Sequence, residues 1–145
     1  MRLTLHTDLA LRLLMLLDAN RDTWTNLTFA SEKLEASQNH LNKVAQRLAK
    51  EGWVVSQRGR GGGLRLGMDA QEVSIGTVVR TLEAPSALVA CMPGGNGQCT
   101  LLGPCRLKAI LQNAEEAFLN ELDKVAIGKL TEKNQQLANL LLDPA

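Results

Sequence analysis

Cysteine is scarce in this chain. There are three in 145 residues, an odd number that intrachain disulfides cannot use up. Histidine is scarcer still, and His6 and His40 both fall outside the segment that holds the cysteines. That counts against a Cys/His nucleophile, and no paired acids or phosphate-cradling loop supplies another catalytic set. An enzyme is not expected. No apolar run approaches the roughly twenty residues of a membrane span. The apolar stretch near the start, Leu13-Leu14-Met15-Leu16-Leu17, is bracketed by Arg12 and Asp18. No small-residue cleavage site follows it, so a secretory signal is not expected and the cytoplasm is the expected compartment. Thiols stay reduced there, and clustered cysteines are more often ligands or redox sites than staples. There is no internal repeat, and the net charge is only +1.

That near-neutral total hides an asymmetry. Between Gln38 and Leu66 lie Lys43, Arg47, Lys50, Arg58, Arg60 and Arg65, against the single acid Glu51. A basic face on a neutral protein points to a localised anionic partner. The pattern around it is mainly helical. Leu9 to Ala19 reads as a buried helix, with Thr7 and Asp8 where a cap and first turn belong. A short helix is expected from behind Thr28 to near Leu34. Ser37 is placed to cap a third helix, whose stripe of Leu41, Val44, Ala45, Leu48 and Ala49 faces inward and which Gly52 stops. Trp53–Gln57 and Leu64–Leu66 then flank Arg58-Gly59-Arg60-Gly61-Gly62-Gly63, which reads as a glycine-tipped hairpin. Ser74 is placed to cap a fourth helix over Ile75 to Leu82, with Pro85 beyond it. From Arg106 to about Val125 a seam of Leu107, Ile110, Leu111, Ala114, Ala117, Phe118, Leu122 and Val125 predicts a long amphipathic helix. Gly128 to Leu142 reads as one more.

Helix, turn, polar-faced helix and basic hairpin, in that order, make a winged helix-turn-helix. The fold expected is therefore mainly α, with that DNA-binding domain over residues 1–84, a cysteine-bearing loop over 85–105, and a dimerisation helix with its tail over 106–145. Ser37, Gln38, Asn39 and His40 open the third helix, where side chains reach base edges in a major groove. Lys43 and Arg47 lie further along, suited to phosphates, and Arg58 and Arg60 sit on a tip whose glycines allow close approach to a groove. The plainer alternatives are a solvated amphipathic helix and a flexible surface turn. Helix-turn-helix proteins commonly bind palindromic half-sites as dimers, and the long seam offers a dimer face, the other possibility being a helix that caps its own core.

Every cysteine lies in the stretch Cys91-Met-Pro-Gly-Gly-Asn-Gly-Gln-Cys99-Thr-Leu-Leu-Gly-Pro-Cys105. Its glycines and prolines exclude a long helix or central strand, and three thiols on one adaptable loop are able to converge on a soft metal or an iron–sulfur cluster. Zinc is a rival, although gaps of seven and five residues lack the tight spacing of zinc hooks. A Cys99–Cys105 thiol switch is a third possibility. A zinc-stabilised interaction module that never touches DNA is the corresponding functional alternative.

Taken together, these residues resemble the NsrR and IscR group of bacterial winged-helix regulators. The likeness rests on Met1-Arg2-Leu3-Thr4 with Thr7-Asp8-Leu9-Ala10-Leu11-Arg12, on Ser37 to Val44, on Arg58-Gly59-Arg60-Gly61-Gly62-Gly63-Leu64, on the cysteine triplet, and on Arg106-Leu107 opening the last long helix. Iron–sulfur assembly regulators of the group carry a histidine three residues after the last cysteine. Lys108 stands there in this sequence, so the chain is more similar to the nitric-oxide-sensitive NsrR type. Glu35 departs from the pattern, occupying a turn position where a small residue or glycine is frequent.

The resemblance implies a DNA-binding repressor with a cluster held by Cys91, Cys99 and Cys105, of the 4Fe–4S type or else 2Fe–2S. It implies Asp8, from the first helix of the other subunit, as an oxygen ligand, with His6 in reserve; without the resemblance Asp8 reads as a helix N-terminal acid, worth about 0.3–1 kcal/mol. It further implies a homodimer on a palindromic double-stranded operator, with cluster nitrosylation lowering operator affinity. Redox or iron status is the alternative signal.

Overall fold

A computed structural model describes residues 3–83, 87–101 and 103–142 of the chain. Pro85, expected beyond the fourth helix, lies outside these residues, as do Met1, Arg2 and the division expected at residue 84. The described elements are α1 (Leu5–Ala19), α2 (Leu27–Lys33), α3 (Gln38–Lys50), β1 (Val54–Gln57), β2 (Gly63–Leu66), α4 (Ile75–Glu83), α5 (Leu107–Asp123), α6 (Ile127–Thr131) and α7 (Gln135–Leu142).

Helix α1 begins a turn earlier than its apolar pattern predicts. Thr4, not Thr7, is the N-cap, and its hydroxyl accepts from the Thr7 amide at 3.3 Å. Thr7 and Asp8 therefore stand inside the helix. Thr7 is fully buried, and its hydroxyl shares a hydrogen bond with that of Thr4. Leu13, Leu14, Leu16 and Leu17 are buried as well, so α1 forms the axis of the core. Helix α2 starts at Leu27 rather than behind Thr28, because the Asn26 side chain caps it by accepting from the Phe29 amide at 2.7 Å.

The boundaries of α3 follow the sequence closely. The Ser37 hydroxyl accepts from the His40 amide at 3.2 Å. At the other end the Gly52 amide donates to the Ala49 carbonyl and the Trp53 amide to Leu48. This Schellman closure needs a left-handed residue, and Gly52 supplies it at φ +78°. Leu41, Val44, Ala45 and Leu48 pack inward, whereas Ala49 is exposed. In the turn before α3, Glu35 adopts φ +49°. The backbone there has the left-handed form that suits glycine, at a cost of about 1 kcal/mol for a side-chain-bearing residue.

Strands β1 and β2 pair antiparallel with Val54 opposite Leu66 and Gln57 opposite Gly63. Thr25, just before α2, adds an isolated antiparallel rung to β2 by exchanging backbone hydrogen bonds with Leu64 at 2.9 and 2.8 Å. The two backbones approach so closely that a Cβ on Gly63 would overlap the Thr25 carbonyl. Arg65 stacks over the Trp24 ring at 5.4 Å and donates to the Arg21 carbonyl, which ties the hairpin to the same segment.

The C-terminal part is two short helices, not one. Lys133 at φ +54° breaks the run, and the Asn134 side chain then accepts from the Leu137 amide to start α7. Ile127 and Leu141 belong to the same hydrophobic core as α1 and α3. The tail expected to accompany the dimerisation helix thus returns to the DNA-binding domain, where it is stitched in by Ile127 N–H to Val73 and Ile75 N–H to Val125. The nearly inaccessible Asp18 of α1 accepts from Thr131 of α6 and from Arg21. Among the described residues no helix is long and apolar enough to cross a membrane.

Candidate functional site

Two features of this scaffold carry chemistry, and α4 stands between them. The first is the exposed face of α3 with the hairpin. Gln38, Asn39, His40 and Lys43 are exposed, as are Arg58 and Arg60 at the hairpin tip. Capping by Ser37 fixes the N-terminal end of α3, and the Gln38 side-chain amide donates to the Thr28 hydroxyl at 3.0 Å. Lys43, Arg58 and Arg60 make no ion pair among the described residues, which leaves three cations facing solvent on adjacent elements. Arg47 differs from them. Its guanidinium pairs with Glu51 at 2.9 Å and donates to the Thr81 carbonyl of α4 at 3.1 Å.

The second feature is the cysteine segment. Residues 87–101 and 103–105 contain turns and bends but neither helix nor strand. Met92 is buried, and backbone bonds from Gly95 to Met92 and from Gly97 to Ala90 fold the stretch back on itself. Cys91, Cys99 and Cys105 are all free thiols of intermediate exposure, so none is a core residue and no disulfide joins them. Three half-accessible thiols suit an iron–sulfur cluster in donor chemistry, since thiolate is the ligand such centres take. Among the described residues no three His, Cys, Asp or Glu side chains are gathered into a metal-holding group. The convergence expected of the three cysteines is thus not preformed in the single chain. A turn-rich segment is able to close around a metal as it binds, because metal binding couples to ordering.

Asp8 lies on an outward part of α1. Its carboxylate is 43% exposed and paired with Arg12 at 2.9 Å, an i,i+4 pair. Among the described residues it forms no three-membered ligand group with the cysteines of its own chain. His6 is half-buried in the same turn.

Sequence reasoning missed the contacts of α4. Arg80 donates to Glu116, Asn120 and Asp123 of α5, at 2.9–3.1 Å. Ser74, which caps α4 as expected by accepting from the Thr77 amide, also donates to Asp123. Hydrogen bonding from Arg80, then from Ser74, holds the Asp123 carboxyl below its ordinary range. Glu83, at the last position of α4, accepts from the Thr4 amide at 2.7 Å and the Thr4 hydroxyl at 2.9 Å. Burial pushes the Glu83 carboxyl up, but the bonds from Thr7 and Thr4 and the nearby His6 outweigh it, and the net effect is downward. A signal existed for the α4–α5 contact, since Arg80 is the lone cation of α4 and lies among Val78, Val79 and Leu82.

The sign of the Glu83 effect yields a prediction. A carboxylate depressed on folding adds stability that is fully present above the unfolded pKa and lost as pH falls through the folded one. Glu83→Gln should therefore lower stability at neutral pH by about 1 kcal/mol, allowing for partial solvent screening. It should also flatten the acid limb of stability against pH, below the ordinary glutamate range. Urea unfolding at stepped pH measures both; an unchanged acid limb would contradict the assignment.

Helix α5 has no buried residue. Leu107 and Ile110 are 54% and 60% exposed, and Phe118 and Val125 are also uncovered. Arg80 grips the polar edge of α5; Leu111 and Leu122 of its seam are partly covered, whereas Leu107, Ile110, Ala114, Ala117 and Phe118 are exposed.

The family model described as "Rrf2: Iron-dependent Transcriptional regulator" matches residues 3–133. The chain is 39% identical over 142 residues to the HTH-type transcriptional regulator NsrR of Bacillus subtilis (strain 168), covering 97% of each. Among solved structures it is similar to CymR, the global cysteine regulator of B. subtilis, with a TM-score of 0.73 and 21% identity, covering 92% of this chain and 98% of that one. It is also similar to T. potens IscR, with a TM-score of 0.69 and 18% identity, covering 94% and 90%. At those identities the structural likenesses establish the fold, a winged helix-turn-helix with mainly helical surroundings.

Proposed function

The chain belongs to the Rrf2 family and is a transcriptional regulator, and we propose that it acts as a homodimeric repressor whose hold on a palindromic operator depends on an iron–sulfur cluster and is released by nitric oxide. The observation that carries this reading is the position of the thiols. Cys91, Cys99 and Cys105 are free, half-exposed, and confined to the one segment between α4 and α5. The overall likeness to NsrR supports nitric oxide as the signal.

In this reading Cys91, Cys99 and Cys105 hold the cluster, and Asp8 of the partner protomer contributes an oxygen donor. Asp8 must then exchange Arg12 for iron. A 4Fe–4S cluster, when bound, supplies iron open to attack by a small diffusible ligand where the donor is a carboxylate rather than a thiolate. The remaining work belongs to the chain. Ser37, Gln38, Asn39 and His40 read base edges, and Lys43, Arg58 and Arg60 neutralise phosphates. The seam of α5 pairs with its symmetry mate and so sets the distance between two copies of α3. A signal changes DNA affinity only by its differential effect on the two arrangements.

An anaerobic nitric oxide titration tests this, with visible absorbance and operator binding followed in the same sample at fixed salt. The cluster absorbance and the operator complex should decline together. Undiminished operator binding after the absorbance is gone would sink the proposal, and a colourless protein purified with zinc would favour the interaction module instead.

A further inference from the structure

The last turn of α4 touches three other elements through three nearly consecutive residues. Arg80 holds α5, the Thr81 carbonyl receives Arg47 of α3, and Glu83 receives the first turn of α1, which also carries Asp8. Eight residues beyond Glu83 the chain reaches Cys91. Among the described residues Arg47 is the one α3 side chain that hydrogen-bonds to α4.

We propose that Arg47 is a positioning residue that fastens α3 to the last turn of α4, and that it is not a phosphate contact. The final carbonyls of a helix lack intrahelical partners and carry the negative end of its dipole. The Thr81 carbonyl is one of these, and the Arg47 guanidinium satisfies it with both a hydrogen bond and a positive charge. Glu51, one turn further along α3, holds the guanidinium from its other side at 2.9 Å. To reach a phosphate, Arg47 would have to abandon both partners. Lys43, which is exposed and unpaired, has no such cost. A fork-shaped cation also suits this place in a way that lysine does not, because one group must meet a carboxylate and a carbonyl in different directions.

The consequence is a direct tie between the DNA-reading helix and the element that leads into the cysteine segment. A change in the cysteine segment that shifts α4 is passed to α3 through one guanidinium. This part of the inference rests on the proposed dependence of operator binding on the cluster.

The test measures operator affinity of wild type, Arg47→Ala, Arg47→Lys and Arg58→Ala across a salt series, each with and without its cluster under anaerobic conditions. Arg58→Ala serves as the phosphate-contact control and should lower the slope of log affinity against log salt by about two, one for each protomer of the dimer. Both Arg47 variants should keep the wild-type slope. Their ratio of cluster-loaded to cluster-free affinity should fall toward one, by about tenfold if the coupling is of ordinary size. A slope reduced by about two, or a ratio left at the wild-type value, overturns the proposal. Should wild type itself bind equally in both forms, the cluster-dependence reading fails. The slope then decides Arg47 alone: unchanged upholds the tie to α4, and reduced overturns it. Arg47→Lys keeps the charge and the helix propensity, so it remains informative if the alanine variant is unstable.

Discussion

Ile110→Asp should leave the secondary structure intact, yield a monomer, and weaken operator binding by two orders of magnitude or more. The basis is the uncovered seam of α5. Ile110 is 60% exposed in the single chain and Leu107 54%, with Phe118 on the same helix and Val125 just beyond its end. Covering a large aliphatic side chain stabilises by about 1.5–3 kcal/mol when complete, and twofold symmetry counts each residue twice. A carboxylate in the middle of such a face would face its own copy, which adds desolvation and like-charge repulsion. The folded protomer should hardly notice, because α5 buries nothing of its own there. Loss of pairing removes the second half-site from the same binding event, and linked modules commonly gain about 10²–10⁴ in avidity. Light scattering coupled to size exclusion reads the mass, and circular dichroism checks the fold. A variant that stays dimeric would show that this face pairs with nothing.

Cys99→Ser should abolish retention of iron and sulfide under anaerobic purification, and operator binding should become indifferent to nitric oxide. Cys99 is half-exposed and lies in a segment without helix or strand, so its loss removes a ligand without opening a cavity. The stability of the metal-free protein should change by less than about 0.5 kcal/mol, the scale of surface substitutions. Serine is a poor substitute because its hydroxyl stays protonated where a thiol is readily ionised, and its oxygen is hard where iron–sulfur centres take soft donors. Cys91→Ser and Cys105→Ser should behave alike. Iron and acid-labile sulfide assays beside a thermal melt separate lost ligation from lost folding. Full iron content in Cys99→Ser would remove that residue from the ligand set.

The DNA-binding half was legible because its signals are local. Ser37 and Gly52 delimit α3 through capping chemistry that acts within four residues, and the Arg-Gly-Arg-Gly-Gly-Gly run has no plausible place but a turn. The misses share a different cause. The start of α1 was misplaced because Thr4 and Thr7 both have capping side chains, and only the tertiary bond to Glu83 distinguishes them. The break between α6 and α7 falls at Lys133, a residue that carries no turn signal; it is set by the return of Ile127 and Leu141 to the core. Arg47 looked like its neighbour Lys43 in the sequence, since both are cations on the polar side of one helix. Their difference lies in Thr81, thirty-four residues away. For the cysteines, the free thiols were legible; the convergence expected of them is not preformed among the described residues, because a segment of turns without helix or strand has no fixed geometry for three side chains to share.

The Thr25–Leu64 rung has an implication for how such a protein chooses among DNA sites. It joins the hairpin to the segment entering α2, with no slack where Gly63 passes the Thr25 carbonyl. The major-groove reader and the basic fingertip beside it are thereby locked together like the jaws of a fixed wrench. A half-site is either matched or missed. In the proposed dimer, what a signal is left to adjust is the phasing of one jaw set against its twin, so operators with the same half-sites but altered central spacers should be the ones whose response diverges.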